Sequence, residues 1–285
     1  MATGSFSTGS LYRIAAFTAA PNGGNPAGVW IGDHLPTEAE MQRVATEVGF
    51  SETAFVAPSK GSERVVRYFS PEAEVSFCGH ATIATGIVLG NTAGNGTYQL
   101  QTSVGIVPVA VRSGDRTREA SLTSVLPEHC AADASLVAEA LDALRWRAED
   151  LDAAIPPVRA YAGAWHLVLA VRTAERLAQL DYDFDALKAL MLRAQLTTLQ
   201  LIWREKEDLF ESRNPFPVGG VVEDPATGAA AAALGGYLRD AGLVKTPSTI
   251  RIRQGATMGR PSHIVVDIPE SGGIVVTGEG VPIPE

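Results

Sequence analysis

Four short clusters in this chain hold residue types that could do chemistry. One is Glu223-Asp224-Pro225-Ala226-Thr227-Gly228, followed by five alanines, Ala229 to Ala233. Asp is a good helix N-cap and Pro suits the first helical position, so the cluster predicts a helix capped by Asp224 and entered at Pro225. Gly228 in the first turn costs about 1 kcal/mol relative to Ala, which makes sense where a ligand must approach the backbone. Bare N–H groups at a helix start bind anions. The cluster therefore reads as a socket for a small carboxylate or phosphate, with Asp224 at its rim. A capped helix with a packing glycine is the plain alternative.

The second cluster is Ser76-Phe77-Cys78-Gly79-His80-Ala81-Thr82. Cys78 and His80 could form a thiol–imidazole pair at a helix N-terminus, where thiolates are favoured. Residues two apart at a helix start do not face each other, however, so Cys78 as a small core filler stands beside that reading. In the third, Phe50-Ser51-Glu52-Thr53-Ala54-Phe55-Val56, two aromatics flank one carboxylate. Apolar surroundings favour a neutral carboxyl and suit a general acid/base, although a solvent-facing Glu at a strand start has the same local sequence. The fourth, Asn22-Gly23-Gly24-Asn25-Pro26-Ala27-Gly28, is rich in turn residues and reads equally as a plain turn.

The elements that must position these clusters follow from periodicity. Short strands are expected at 12–17, 28–31, 53–57, 65–69, 98–101 and 104–111, and again at 166–171, 199–203, 250–253, 263–268 and 273–276. Thr37-Glu38-Ala39-Glu40 is a capping box for a surface helix with Met41, Val44, Ala45 and Val48 on one face and Gly49 at its end. Amphipathic helices are expected at 136–144 and 184–194. Two further helices, starting at Gly79 and Gly228, are apolar on almost every side and so belong inside the protein. Each opens the one such helix of its half, a weak internal duplication. The expected class is α+β, with two similar domains over 11–122 and 134–285, a linker near 123–133, and a mostly antiparallel sheet wrapped around a buried helix in each. The last strand is allowed to pair back with the first domain. The site would lie in the cleft between domains.

Composition removes several function classes. The net charge is −9 with no basic run, so nucleic acid and anionic membrane are not expected partners. Nothing approaches the run of ~20 apolar residues needed to span a bilayer. Met1 to Ser10 lacks the apolar core of a signal peptide and reads as a loose end. Two cysteines, Cys78 and Cys130, make no disulfide framework, so a cytoplasmic setting is expected. No CxxC, HExxH, Walker, GxGxxG or GxSxG pattern occurs, so no metal and no nucleotide cofactor is expected.

In this order, the clusters resemble the PhzF-like (phenazine biosynthesis-like) family of the diaminopimelate-epimerase superfamily. The resemblance rests on Asn25-Pro26, Ser51-Glu52-Thr53, Cys78-Gly79-His80-Ala81-Thr82, Trp165-His166-Leu167, Glu223 to Gly228, and Gln254-Gly255 with Gly259-Arg260-Pro261-Ser262. It implies a homodimeric, cofactor-free isomerase acting on a small amino or cyclic carboxylic acid. In that pattern Glu52 moves a proton between carbons while His80 and Asp224 hold and polarise the substrate. Asn25, Cys78, Gly79, Ala81, Thr227, Gly228 and Ala229 are the implied substrate-binding positions. Two departures stand out. Many members carry Ser where this chain has Ala229, and a lost hydrogen bond to a charged ligand costs about 1.5–3 kcal/mol. The racemases of the superfamily use two thiols, one before each helix, whereas Pro225 stands where the second would be. A racemase, epimerase or dehydratase using Cys78, and a non-catalytic carboxylate-binding protein, are the alternative readings.

Overall fold

The computed structural model describes residues 9–284 and divides the chain into two units. Unit 1 comprises residues 1–122 and 278–285, and unit 2 comprises residues 123–277. Unit 1 contains β1 (Gly9–Ala16), β2 (Asn25–Gly32), α1 (Glu38–Val48), β3 (Glu52–Pro58), β4 (Glu63–Phe69), β5 (Glu74–Val75), α2 (Gly79–Ala93), β6 (Gly96–Thr102), β7 (Gly105–Ser113) and β8 (Arg118–Thr123). Unit 2 contains β9 (Glu128–Ala131), α3 (Ala134–Leu144), β10 (Val158–Tyr161), β11 (Trp165–Val171), α4 (Ala174–Ala178), α5 (Phe184–Arg193), β12 (Thr198–Lys206) and β13 (Leu209–Phe216). It continues through β14 (Val221–Asp224), α6 (Gly228–Asp240), β15 (Ser248–Gln254), β16 (Ser262–Ile268) and the start of β17 (Val275–Pro282).

The strand pairings repeat. In unit 1, β1–β2 is antiparallel, β2–β3 parallel, β3–β4 antiparallel, β4–β6 parallel, and β6–β7 and β7–β8 antiparallel. In unit 2 the same alternation runs through β10–β11, β11–β12, β12–β13, β13–β15, β15–β16 and β16–β17. Parallel neighbours need a crossover. The first is made by α1 in unit 1 and by α4 with α5 in unit 2; the second is made by α2 and by α6. The duplication suggested by two glycine-led helices is thus a duplication of topology. The fold is mixed α+β, and antiparallel pairs predominate.

Small residues let each sheet close on its helix. All of α2 from Gly79 to Gly90 is buried, and it packs on β1, β2, β3 and β7. A Cβ on Gly86 would lie 2.7 Å from Ala120 Cβ and 2.8 Å from Val109 Cγ1. In unit 2, α6 is buried from Ala230 to Leu238 and packs on β9, β10, β11, β12 and β16. On α1 the capping box forms as expected: Thr37 N–H donates to Glu40 Oε2 at 2.9 Å, Glu40 N–H donates to Thr37 Oγ1 at 3.3 Å, and Gly49 takes the left-handed cap at φ 70°.

Several expectations change. Gly9 and Ser10 belong to β1, opposite Gly32 and Ile31, while the rest of the expected loose end lies outside the described residues. The expected linker carries β9, whose residues 128–131 pair with β10. The helix after Asp224 starts later than predicted. Asp224 ends β14 opposite Asn214, and Thr227 is the N-cap. Long-range pairing and the extended bias of a residue before proline together keep Asp224 out of the helix.

Gly86→Ala gives the close packing of α2 a direct test. Ala gains about 1 kcal/mol of helix propensity, but the new methyl meets two atoms rooted close to their own backbones, and overpacking costs about 1–3 kcal/mol. The variant should be less stable than the parent in urea denaturation. Equal or higher stability would show that the sheet has room to give.

Candidate active site

The expected site residues fall into two groups, one in each unit. In unit 1, Glu52 opens β3 and pairs with Ala27 of β2, just beyond Asn25 and Pro26. Asn25 is buried. Across from this strand start lies the start of α2. Cys78 is its N-cap, with extended φ −143° and ψ 116°, and Gly79 and His80 follow. Glu52 Oε2 stands 3.4 Å from His80 Nε2, with the two side chains 12% and 6% exposed. Ser51 Oγ is 3.3 Å from the same nitrogen. Among the described residues, Glu52 Oε2 is buried and has no hydrogen-bond partner.

Two expectations about this group are corrected. Phe55 does not surround Glu52. Successive strand residues point to opposite faces, and Phe55 packs on the other side with Trp30, Met41, Ala45 and Phe69. His80 and Ser51 are the neighbours instead. Cys78 and His80 do meet, because an extended N-cap does not follow helical spacing. The sulfur lies 3.3 Å from Nδ1 and 3.9 Å from Nε2. A sulfur on either N–H axis would be far from the other nitrogen, so it sits against the ring rather than at the end of a hydrogen bond. Glu52, Cys78 and His80 also bring one oxygen, one sulfur and one nitrogen within 4.8 Å of one another. That arrangement does not fit a shared ion: a thiolate on a metal bound to one ring nitrogen would stand well away from the other nitrogen, whereas this sulfur is 3.3 and 3.9 Å from the two.

The backbone beside these side chains is held from within. Thr82 Oγ1 donates to Cys78 O at 2.7 Å, so Tyr68 OH donates to Thr82 Oγ1, also at 2.7 Å. Burial raises the Tyr68 phenol well above its ordinary range and keeps it neutral. The first helical bond runs from Thr82 N–H to Cys78 O at 3.0 Å. The N–H groups of Gly79, His80 and Ala81 therefore have no intrahelical acceptor. Ala81 is fully buried.

In unit 2, Asp224, Thr227, Gly228 and Ala229 surround the start of α6. Asp224 and Gly228 are buried, and Thr227 and Ala229 are half-buried. Thr227 Oγ1 lies 2.5 Å from Asp224 Oδ2. The first helical bond is Ala231 N–H to Thr227 O at 3.0 Å, which leaves Gly228, Ala229 and Ala230 N–H without intrahelical acceptors. A residue given no role by the sequence holds this corner. Gln254 Nε2 donates to Asp224 O at 2.7 Å and to Thr227 Oγ1 at 3.1 Å, while its Oε1 accepts from Thr227 N–H at 3.2 Å. Next to it, Gly255 at φ 74° would place a Cβ 2.6 Å from Pro225 O, so only glycine lets this loop pass. Arg213 clamps the neighbouring Glu223 with both ends of its fork, at 3.0 and 2.5 Å.

A family model described as phenazine biosynthesis-like protein matches residues 14–285. The uncharacterized isomerase YfhB of Bacillus subtilis is 31% identical over 283 residues, covering 95% of each chain. The trans-2,3-dihydro-3-hydroxyanthranilate isomerase of Pseudomonas fluorescens is 33% identical over 254 residues, covering 87% of this chain and 86% of that one. The crystal structure of a PhzF-family phenazine biosynthesis protein from Bacillus anthracis superposes with a TM-score of 0.84 at 25% identity over 96% of both chains.

A buried polar seam runs on from Asp224 into the sheet of unit 2. Asn214, opposite Asp224, donates to Thr198 Oγ1 at 3.1 Å, and Thr198 Oγ1 lies 2.8 Å from His166 Nδ1. His166 is fully buried, and burial lowers its pKa to about 3. Its pKa in the unfolded chain is near 6.5. The folded value is the lower one, so below about pH 6.5 the unfolded chain binds more protons and stability falls with pH by up to about 1.4 kcal/mol per unit towards pH 3. The imidazole signals of His166 in NMR should therefore stay neutral from pH 8 to pH 5 while stability in urea declines below pH 6.5. Titration of that ring near pH 6.5 in the folded protein would contradict the burial argument.

Proposed function

We infer the function from one premise: the chain belongs to the phenazine biosynthesis-like protein family. It is an isomerase that moves a proton within a small amino or cyclic carboxylic acid, using acid–base groups of the protein and neither metal nor organic cofactor. The observation that carries this reading is the uncommitted, buried Oε2 of Glu52 beside His80. Glu52 takes a proton from an activated carbon, leaving its electron pair to shift along the conjugated system, and returns the proton to another carbon. His80 and Ser51 orient the polar group next to the reacting carbon. The N–H groups at the start of α2 take up developing negative charge. In the other unit, Asp224 with the N–H groups of Gly228, Ala229 and Ala230 forms a socket suited to the amino and carboxylate groups of such an acid.

The substrate named for the Pseudomonas relative, trans-2,3-dihydro-3-hydroxyanthranilate, is the first compound to try. Ala229 offers no hydroxyl, so ring acids that do not rely on one belong in the same panel. A second reading keeps the scaffold and uses Cys78, whose sulfur touches the His80 ring, as the acid–base group of an epimerase or dehydratase.

The panel is screened by thermal stabilisation, and each acid that binds is incubated in D₂O and weighed by mass spectrometry. Deuterium should enter a carbon position of at least one such acid. Glu52→Gln should slow that exchange by about 10² to 10⁴-fold, the usual contribution of a positioned acid/base, with the melting temperature preserved. Cys78→Ala should retain most of it. Binding without exchange in the parent would make this a carboxylate-binding protein, and loss of exchange in Cys78→Ala alone would favour the thiol.

A further inference from the structure

The four hydrogen bonds of Gln254 decide which way a proton points at Asp224. Gln254 is 2% exposed, at the end of β15. Its amide orientation follows from its two backbone partners. The nitrogen must face the Asp224 carbonyl at 2.7 Å, and the oxygen must face the Thr227 N–H at 3.2 Å. Reversing the amide would set an oxygen against a carbonyl and an NH₂ against an N–H. Ser212 Oγ, 3.1 Å from Oε1, then donates and completes the oxygen's second bond. With the nitrogen so placed, Nε2 meets Thr227 Oγ1 as a donor at 3.1 Å. The Thr227 hydroxyl accepts there, and its own proton goes to Asp224 Oδ2, 2.5 Å away. A hydroxyl of free orientation becomes a committed donor to one carboxylate oxygen.

We propose that Gln254 is a positioning residue for the candidate site: through Thr227 it orients and charges Asp224, and it withdraws the Thr227 N–H from the anion-binding set. The α6 start then presents the N–H groups of Gly228, Ala229 and Ala230. The claim that this matters for turnover rests on the proposed function, in which Asp224 holds substrate; the claim about Gln254 and Asp224 does not. Buried donors on a carboxylate favour its ionised form, and charge-assisted bonds are the stronger kind.

The test follows the carboxyl carbon of Asp224 by ¹³C NMR through a pH titration of the full chain without ligand. Gln254→Met and Thr227→Val should each raise the midpoint by about one pH unit, the scale of one charge-assisted bond. The double variant should raise it no further than the larger single effect, because both break one chain of bonds. Thr227→Ser, which keeps the hydroxyl, should restore the parent midpoint. Should Gln254→Met fail to fold, Gln254→Asn is one methylene too short for all four bonds and reads the same loss. An unmoved midpoint in the Gln254 variant, or additive shifts in the double variant, would overturn the positioning role. Turnover of Asp224→Asn with Gln254 intact is read separately. Unimpaired turnover there would sink the functional reading and leave the Gln254–Thr227–Asp224 link standing. Impaired turnover with an unmoved Gln254→Met titration would do the reverse.

Discussion

Enclosing a helix on every face is the constraint from which the rest of this structure follows. A helix such as α2, buried from Gly79 to Gly90, has no solvent-facing stripe for polar residues. Its side chains must be small where strands press closest, which explains Gly86 against Ala120 and Val109. Its backbone groups satisfy one another along its length but not in the first turn. The N–H groups of Gly79, His80 and Ala81 are what remain to meet something else. The same reasoning applies to α6 at Gly228, Ala229 and Ala230. An enclosed helix thus concentrates unmet polarity at one end, and in each unit the residues with chemical potential stand at that end.

The two units use one topology for different purposes. At the start of β3, unit 1 carries the half-buried Glu52, whose buried Oε2 has no hydrogen bond and stands beside His80. At the corresponding strand start, β12, unit 2 carries Thr198, bonded to His166 and Asn214. One position keeps an oxygen without a hydrogen bond, and the other is bonded twice. Conversely, the turn before α2 holds Cys78, with no side-chain cap bond. The turn before α6 holds Thr227, tied to Asp224 and Gln254. Proton transfer suits the first environment, where a carboxylate oxygen is free of donors. Fixed recognition of charge suits the second, where Thr227 is held by both Asp224 and Gln254.

How much of this was legible in the sequence depended on the range of the interaction. The capping box of α1 needs only Thr37 and Glu40, and it was readable residue by residue. The two enclosed helices were readable from uniform apolarity, and the site clusters from their order along the chain. Asp224 was misread as a helix cap because its partners are distant. Asn214 holds it in a strand from ten residues upstream, and Gln254 fixes its carbonyl from thirty residues downstream. Cys78 was misread because spacing rules for helices were applied to an extended residue. The strand β13 was not anticipated at all. Glu211, Arg213 and Pro215 break any apolar alternation, yet Arg213 pairs with Glu223 across the ladder and Pro215 lies opposite the same residue. Gln254 stood out in the sequence only as part of the Gln254-Gly255 motif, and nothing local to it pointed to Asp224 or Thr227.

Ala229 takes a different meaning once Thr227 is placed. At the start of α6 the one nearby hydroxyl is already engaged, accepting from Gln254 and donating to Asp224. Where a serine would add a second hydroxyl, this chain has a half-buried methyl. The socket therefore offers backbone N–H groups and one carboxylate, but no side-chain donor that can turn to suit a ligand. Backbone N–H groups at a helix start recognise negative charge with little regard for what carries it. A pocket built to hydrogen-bond a hydroxyl rejects analogues that lack one far more strongly than a pocket without such a group. Under the proposed function, the absence of that serine widens the range of acids the socket would accept. It does so without touching Glu52 and His80, on which the proposed proton transfer depends.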